Sequence, residues 1–111
     1  MSLEVNKIHK GDTVETMKKI DDKSVQLVMT SPPYLASIRD DNHKYPGAKD
    51  IIKDNQTVEE YIEWSVDIFK EYERVLADDG VVAYNMSYTT FNPMLPYMVI
   101  EEVRKQTGFE I

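Results

Sequence analysis

Residues 25–34 read VQLVMTSPPY, and this stretch decides the fold class. Its first six residues are mostly apolar and β-branched, a pattern typical of a strand that is covered on both faces. Two consecutive prolines then end the strand, because a proline lacks the backbone N–H that a sheet ladder needs. The stretch therefore predicts a strand at Val25–Thr30 that delivers a stiff loop, Ser31-Pro32-Pro33-Tyr34, at its carboxyl end.

Further strands and helices are predicted on either side. Asp12 with Glu15, and Thr57 with Glu60, have the spacing of a helix capping box. In chain order we predict a strand at Val5–His9, a helix from Asp12, the strand Val25–Thr30, a long loop over residues 35–56, a helix from Thr57 closed by Asp78-Asp79-Gly80, a strand at Val81–Met86, a helix at Leu95–Thr107 and the beginning of a fourth strand at Phe109–Ile111. Such alternation predicts an α/β fold with a mainly parallel sheet and flanking helices.

Apolar residues recur at helical spacing in both long helices, so one face of each is expected to pack inward. On the first helix the aromatic residues favour core packing over a base-stacking platform; they are Tyr61, Trp64, Phe69 and Tyr72. On the second helix the residues expected to point inward are Tyr97, Met98, Ile100 and Val103.

Size and composition narrow the possible functions. The chain has 111 residues, enough for one small domain, and a formal net charge of −7, which argues against this chain alone gripping a polyanion. It has no cysteine and only two histidines, so a metal centre is not expected. Since no apolar run is long enough to span a bilayer and no signal sequence is evident, we expect a cytoplasmic protein.

The loop Ser31-Pro32-Pro33-Tyr34 has features suited to one chemistry. Two prolines make it rigid and remove two N–H donors, which leaves carbonyl oxygens and the Ser31 hydroxyl as acceptors, while Tyr34 offers a flat face. A primary amine on a planar ring is complementary to these groups. Accepting both of its N–H bonds favours a pyramidal nitrogen whose lone pair can attack a methyl donor.

With its neighbouring blocks, the loop resembles a known family. The segments GDTVETMKKIDDKSVQLVMTSPPY and EEYIEWSVDIFKEYERVLADDGVVAYN are similar to the opening part of β-class DNA amino-methyltransferases, in which the catalytic loop precedes the recognition domain and the cofactor motif. The segment RVLADDG resembles the family's RVLKPGG but departs from it at three positions. The resemblance implies an incomplete Rossmann-like class I methyltransferase sheet, S-adenosylmethionine as cofactor, DNA as partner and flipping of the target base.

The resemblance also assigns roles to residues. Ser31, Pro32, Pro33 and Tyr34 match the catalytic loop, with the Ser31 hydroxyl and the Pro32 carbonyl facing the amino group and Tyr34 against the ring. Asp12 matches a cofactor-binding carboxylate, although helix capping explains it equally well. Asn85 matches a polar residue at a strand end and is also expected to bind the cofactor, unless it only satisfies backbone groups there. Serine at the first loop position favours cytosine N4 over adenine N6 as the target.

Some of the family's elements are missing from residues 1–111. Glycines stand at positions 11, 47, 80 and 108, so the glycine-rich FxGxG cofactor motif is absent, as is a recognition domain. We therefore expect a single partial catalytic domain, inactive alone: a fragment of an enzyme, a truncated gene product, or one polypeptide of a split enzyme. Its uncovered apolar surface should favour self-association or pairing with a second polypeptide. The alternatives are a non-catalytic remnant that acts as an association module and, less favoured, an enzyme that methylates a protein glutamine or an RNA amine.

Overall fold

The structure is a computed structural model, and it describes residues 3–33, 57–87 and 92–111. Within these ranges the chain forms three helices and two strands in alternating order. They are helix α1 (Thr13–Met17), strand β1 (Val25–Thr30), helix α2 (Val58–Val75), strand β2 (Leu76–Tyr84) and helix α3 (Leu95–Gln106). The predicted loop over residues 35–56 lies outside the described residues.

The two strands form a parallel sheet, as the alternating pattern predicted. Its carboxyl half is regular, with Leu27 opposite Val81 and Thr30 opposite Tyr84. These strands and helices are compatible with an α/β methyltransferase fragment. The larger Rossmann-like sheet stays a prediction.

The amino half of the sheet is irregular, because five residues of β2 span the distance that two residues of β1 cover. The extra length contains Asp78-Asp79-Gly80, so the prediction that this triplet closes the helix is wrong: α2 ends at Val75 and β2 begins at once. Gly80 is required by close packing, since a Cβ there would lie 2.8 Å from Leu76 Cδ2 and 3.2 Å from the Gln26 carbonyl oxygen.

Both predicted helix starts are confirmed. The Asp12 carboxylate accepts a 3.1 Å hydrogen bond from the Glu15 amide at the start of α1. At α2, Thr57 Oγ1 accepts from the Glu60 amide (3.1 Å) and Glu60 Oε1 accepts from the Thr57 amide (2.9 Å), which completes a capping box. Each bond satisfies a backbone donor that a helix end leaves without an intrahelical partner.

The core lies between α2, α3 and one face of the sheet. The predicted packing of the aromatic residues is confirmed, because the Phe69 ring contacts Tyr72, Tyr84 and Phe109 at centroid distances of 5.3, 4.6 and 5.9 Å. The other buried side chains of this cluster are Met17, Tyr61, Val66, Ile68, Leu76, Leu95, Val99 and Val103. Trp64 packs at the margin of the cluster and is partly buried.

The prediction that β1 is covered on both faces is wrong for the described residues. Val28 and Val82 pack against the core, whereas Leu27 is 52% exposed, Met29 75% and Val81 58%. In a strand, side chains alternate between faces, and here the helices cover only the face that carries Val28 and Val82.

Helix α3 buries a narrower stripe than predicted. Its buried residues are Leu95, Val99 and Val103, spaced four apart, so the prediction for Val103 is confirmed. The prediction that Tyr97, Met98 and Ile100 point inward is wrong, since all three are exposed. The helix packs chiefly against α2, and contact with one neighbour covers only one stripe of a helix.

The predicted terminal strands do not form in the described chain. Asn6 has a φ of 61°, a left-handed conformation that interrupts an extended strand, and Ile8 is fully exposed. Phe109–Ile111 has no strand partner; Phe109 packs its ring on the core instead. Over the same described ranges, no helix has the length and apolarity to span a membrane.

Candidate functional site

The two parallel strands end side by side, and the predicted site residues Ser31 and Asn85 follow them directly. The Asn85 amide N–H donates to the Thr30 carbonyl (2.9 Å), which extends the ladder by one residue. The Asn85 side chain then donates from Nδ2 to Ser31 Oγ (3.1 Å). The carboxyl edge of a parallel sheet is where α/β proteins bind ligands.

The contact with Asn85 constrains the Ser31 hydroxyl. A hydroxyl has one donor hydrogen and two acceptor lone pairs. Because Asn85 Nδ2 donates to one lone pair, the other lone pair of Ser31 Oγ is left to accept from a further donor. Ser31 is exposed, so a ligand amine can reach this oxygen.

The loop is also held from the helical side. The Tyr61 hydroxyl on α2 donates to the carbonyl oxygen of Pro33. Tyr61 is fully buried, and its ring lies 5.7 Å from that of Trp64. The sequence pattern predicts only core packing for Tyr61, because its contact to Pro33 joins residues that are 28 positions apart.

Pro32 and Pro33 therefore differ in what their carbonyls contact. The Pro33 oxygen accepts from Tyr61, whereas no described residue donates to the oxygen of Pro32. Both prolines are half-buried. Ser31 Oγ and the Pro32 carbonyl are thus two acceptors of the described loop that can bind a ligand. Tyr34, the fourth predicted loop residue, lies outside the described residues, and its stacking role stays a prediction.

Tyr72 is buried near Thr30, the last residue of β1. Burial raises the pKa of its hydroxyl above the ordinary value, and a hydrogen bond with Thr30 lowers that pKa by a smaller amount. The neutral phenol is therefore the form present near neutral pH.

Asp12 makes no hydrogen bond with the described loop residues 31–33. It lies at the start of α1, exposed, where its Oδ2 atom accepts from Glu15. Its second oxygen, Oδ1, has no hydrogen-bond partner among the described residues. Asp12 can therefore cap the helix and still accept from a hydroxyl or amine of a ligand, so the two readings of this residue are compatible.

Arg74 fixes α1 relative to α2. Its guanidinium donates to the carbonyl oxygens of Met17 (2.7 Å) and Ile20 (2.9 Å), and it pairs with Asp22 (2.6 Å) and Glu71 (2.9 Å). Hydrogen bonds to these carboxylates raise the pKa of Arg74 above its usual range. Sequence analysis assigned no role to this residue beyond its place in the RVLADDG segment.

Metal ligands are not clustered in the part of the chain that the structure describes: no three His, Asp or Glu side chains come together there. The site at the end of β1 is built from a hydroxyl, an amide and carbonyl oxygens. Its hydrogen-bond acceptors are oxygen atoms of neutral groups.

Comparison with known proteins identifies the family. Residues 25–111 match the DNA methylase family N6_N4_Mtase. The chain belongs to this family of amino-methyltransferases. The match begins at β1 and includes the whole of the site at its carboxyl end.

Curated relatives agree with the assignment to the methylase family. The chain is 37% identical to the type II methyltransferase M.SfiI of Streptomyces fimbriatus over 79% of its own length and 20% of the relative. It is 34% identical to M.BglII of Bacillus subtilis over 74% of its length and 19% of the relative. With M.SmaI of Serratia marcescens the identity is 37%, covering 76% of this chain and 27% of that protein. The chain thus spans about a fifth to a quarter of these methylases.

Proposed function

We propose that this segment of a DNA methylase provides the amine-binding half of an active site that transfers methyl from S-adenosylmethionine to the N4 amino group of cytosine in DNA. The observation that carries the proposal is the arrangement of Ser31 and Asn85 at the carboxyl ends of the paired strands, where Ser31 Oγ accepts from Asn85 and keeps a second lone pair for a ligand. Family membership and three relatives named as type II methyltransferases support it.

The chemistry follows from what an exocyclic amine needs. Its lone pair is delocalised into the ring, so the amine is a poor nucleophile until its nitrogen becomes pyramidal. Ser31 Oγ and the Pro32 oxygen would each accept a hydrogen bond from one N–H of the amine. These hydrogen bonds would stabilise the pyramidal nitrogen as it loses planarity. Because both acceptors lie in a stiff loop, little reorganisation is needed as the reaction proceeds.

The donor S-adenosylmethionine, when bound, would supply an electrophilic methyl group with its thioether as the leaving group, and the methylated amine would lose one proton to solvent. Of the described residues, Asp12 Oδ1 suits a hydroxyl or amine of its adenosine part. The glycines of this sequence form no FxGxG cradle for the methionine part. The described residues therefore fit only part of the cofactor, and we infer that another part of the same polypeptide, or a second chain, completes the pocket.

DNA would be bound mainly outside this segment. The formal charge of −7 opposes a phosphate backbone, so the basic contacts are expected elsewhere in the assembled enzyme. The target base would leave the helix to reach the loop, and the Tyr34 ring would stack on it.

Adenine N6 is the second candidate target, because the family covers both amines. The loop acceptors suit either ring, and the serine at position 31 favours cytosine. A non-catalytic association module is the remaining alternative. This alternative predicts that substitutions in the loop leave the association of the protein unchanged.

The test uses the protein as its native locus expresses it, together with any polypeptide that copurifies. Unmethylated DNA is incubated with cofactor labelled in the methyl group, and incorporation is compared for the wild type, Ser31→Ala and Tyr34→Ala. We expect label in DNA with the wild type and its loss with both variants. Absence of label with the wild type, or undiminished labelling by the variants, would contradict the proposed function.

A further inference from the structure

We infer that Tyr61 is a positioning residue of the amine site: its hydroxyl anchors the Pro33 carbonyl and thereby fixes the loop that presents Ser31 Oγ and the Pro32 oxygen to the amine. The inference rests on the proposed function for its catalytic consequence. Its structural part stands on the contact between Tyr61 and Pro33 alone.

The two prolines limit how the loop can be held in place. Pro32 and Pro33 have no backbone N–H, so these two residues cannot hold themselves to a neighbouring acceptor by donating a hydrogen bond. Only their carbonyls can be held, and this requires a donor from elsewhere in the fold. At Pro33 the donor is the Tyr61 hydroxyl.

The donor, Tyr61, is itself held firmly in the fold. Tyr61 lies in the first turn of α2, and its amide donates to the Thr57 carbonyl (2.9 Å) within the completed capping box. Its side chain is fully buried and rests against Trp64. The phenol is therefore fixed by the helix start and the core, and the position of the Pro33 carbonyl is fixed with it.

An amine with two hydrogens is best bound by two acceptors that are held in place. Since the Tyr61 hydroxyl anchors the carbonyl of Pro33, the neighbouring residue Pro32 is restrained with it. The Pro32 oxygen accepts from no described residue. The loop therefore sets the direction of this carbonyl and leaves it available to the amine.

Tyr61→Phe tests the inference, because it keeps the ring in the core and removes only the hydroxyl. Ile68→Val is the matched control: Ile68 is buried on the same helix, and removing one methyl group lowers stability without touching the loop. Both variants are prepared in the complete enzyme, with Tm recorded so that kcat is compared at temperatures where each is folded.

In the methylation assay we expect Tyr61→Phe to lower kcat about tenfold to a hundredfold, with KM for the cofactor within about twofold of the wild type. Ile68→Val should leave kcat within about twofold. A role confined to core packing would instead lower Tm alone, so an unchanged kcat in folded Tyr61→Phe would overturn the inference.

A second measurement does not depend on activity. Proline labelled with ¹³C at the carbonyl is incorporated, and the Pro33 resonance is followed by NMR. Losing a hydrogen bond should move this resonance in Tyr61→Phe and not in Ile68→Val. An unmoved resonance would overturn the inference. If the resonance moves but the wild type methylates no DNA, the proposed function fails while the positioning of Pro33 by Tyr61 stands.

Discussion

The two ends of α2 hold the neighbouring chain in different ways. At its carboxyl end, Arg74 makes several charge-assisted contacts, with two carbonyls and two carboxylates around α1. At its amino end, Tyr61 makes a neutral hydrogen bond to the loop carbonyl of Pro33. The helix runs antiparallel to β1, because the amides of Lys23 and Ser24 meet the Arg74 and Val75 carbonyls while Tyr61 reaches the loop after the strand.

The difference separates stability from chemistry. Charged contacts with several partners stabilise the amino edge of the sheet, where α1 and β1 meet α2. At the carboxyl edge the contacts are fewer and neutral. They orient the Ser31 hydroxyl and the Pro33 carbonyl and leave acceptors available to a ligand. We therefore expect substitutions at the two edges to have separable effects on unfolding and on methyl transfer.

The largest expected effect is at the carboxyl edge. Ser31→Ala should lower kcat about 10²-fold to 10³-fold, because it removes one of the two acceptors for the amine. Stability should change by about 0.5 kcal/mol or less, since Ser31 is exposed. Urea unfolding and labelled-methyl kinetics measure the two quantities. Ser24→Ala, just before the opposite end of β1, is the control and should leave kcat unchanged.

The next effect is at the amino edge. Arg74→Met should destabilise the protein by about 2 kcal/mol, because it leaves the carbonyls of Met17 and Ile20 without their charged donor. Urea unfolding gives the value. Arg104→Met removes an exposed pair with Glu101 and should leave the unfolding midpoint nearly unchanged. Equal losses in the two variants would show that the Arg74 contacts are not the stabilising feature.

A smaller effect is expected where Asn85 meets Ser31. Asn85→Ala should lower kcat about tenfold, because the Ser31 hydroxyl would no longer be oriented by Nδ2. Gln106→Ala removes an amide that contacts Glu102 on α3 and serves as the control. Steady-state kinetics at saturating cofactor make the comparison. If Asn85→Ala keeps the wild-type kcat, the claim that Asn85 orients the Ser31 hydroxyl for methyl transfer is contradicted.

The smallest effect concerns the start of α2, on which Tyr61 depends. Hydrogen bonds from Thr57 lower the pKa of Glu60 below its usual 4.5 in the folded protein. The stabilisation is therefore present above about pH 4.5 and is lost as the pH falls through the lower folded value. Glu60→Gln should flatten the fall of Tm in this acid range, whereas Glu59→Gln should not. Identical profiles for Glu60→Gln and the wild type would contradict this.

Local signals in the sequence predicted much of the fold. The apolar run before two prolines gave β1 with correct bounds, and the capping residues Asp12 and Thr57 gave the helix starts, because these features depend on neighbours a few residues away. The predicted strand at Val5–His9 was wrong, since strand propensity does not supply a pairing partner. The burial of α3 was misjudged at Tyr97 for a related reason: periodicity does not tell how many neighbours a helix has.

The candidate site was predicted only in outline. The residues at the strand end were identified, but not the bond from Asn85 to Ser31 or the donor for Pro33. Both contacts join residues that are far apart in sequence and depend on the register of the sheet and the placement of α2. The contacts of Arg74 and Tyr61 became evident only from the tertiary structure.

The central claim is that the loop after β1 binds an exocyclic amine for methylation. Its most direct test is mass analysis of nucleosides from DNA incubated with the complete enzyme and S-adenosylmethionine. We predict N4-methylcytosine in the wild-type product and its loss with Ser31→Ala. Methyl groups found only on a ring carbon, or no methylated nucleoside at all, would contradict the account.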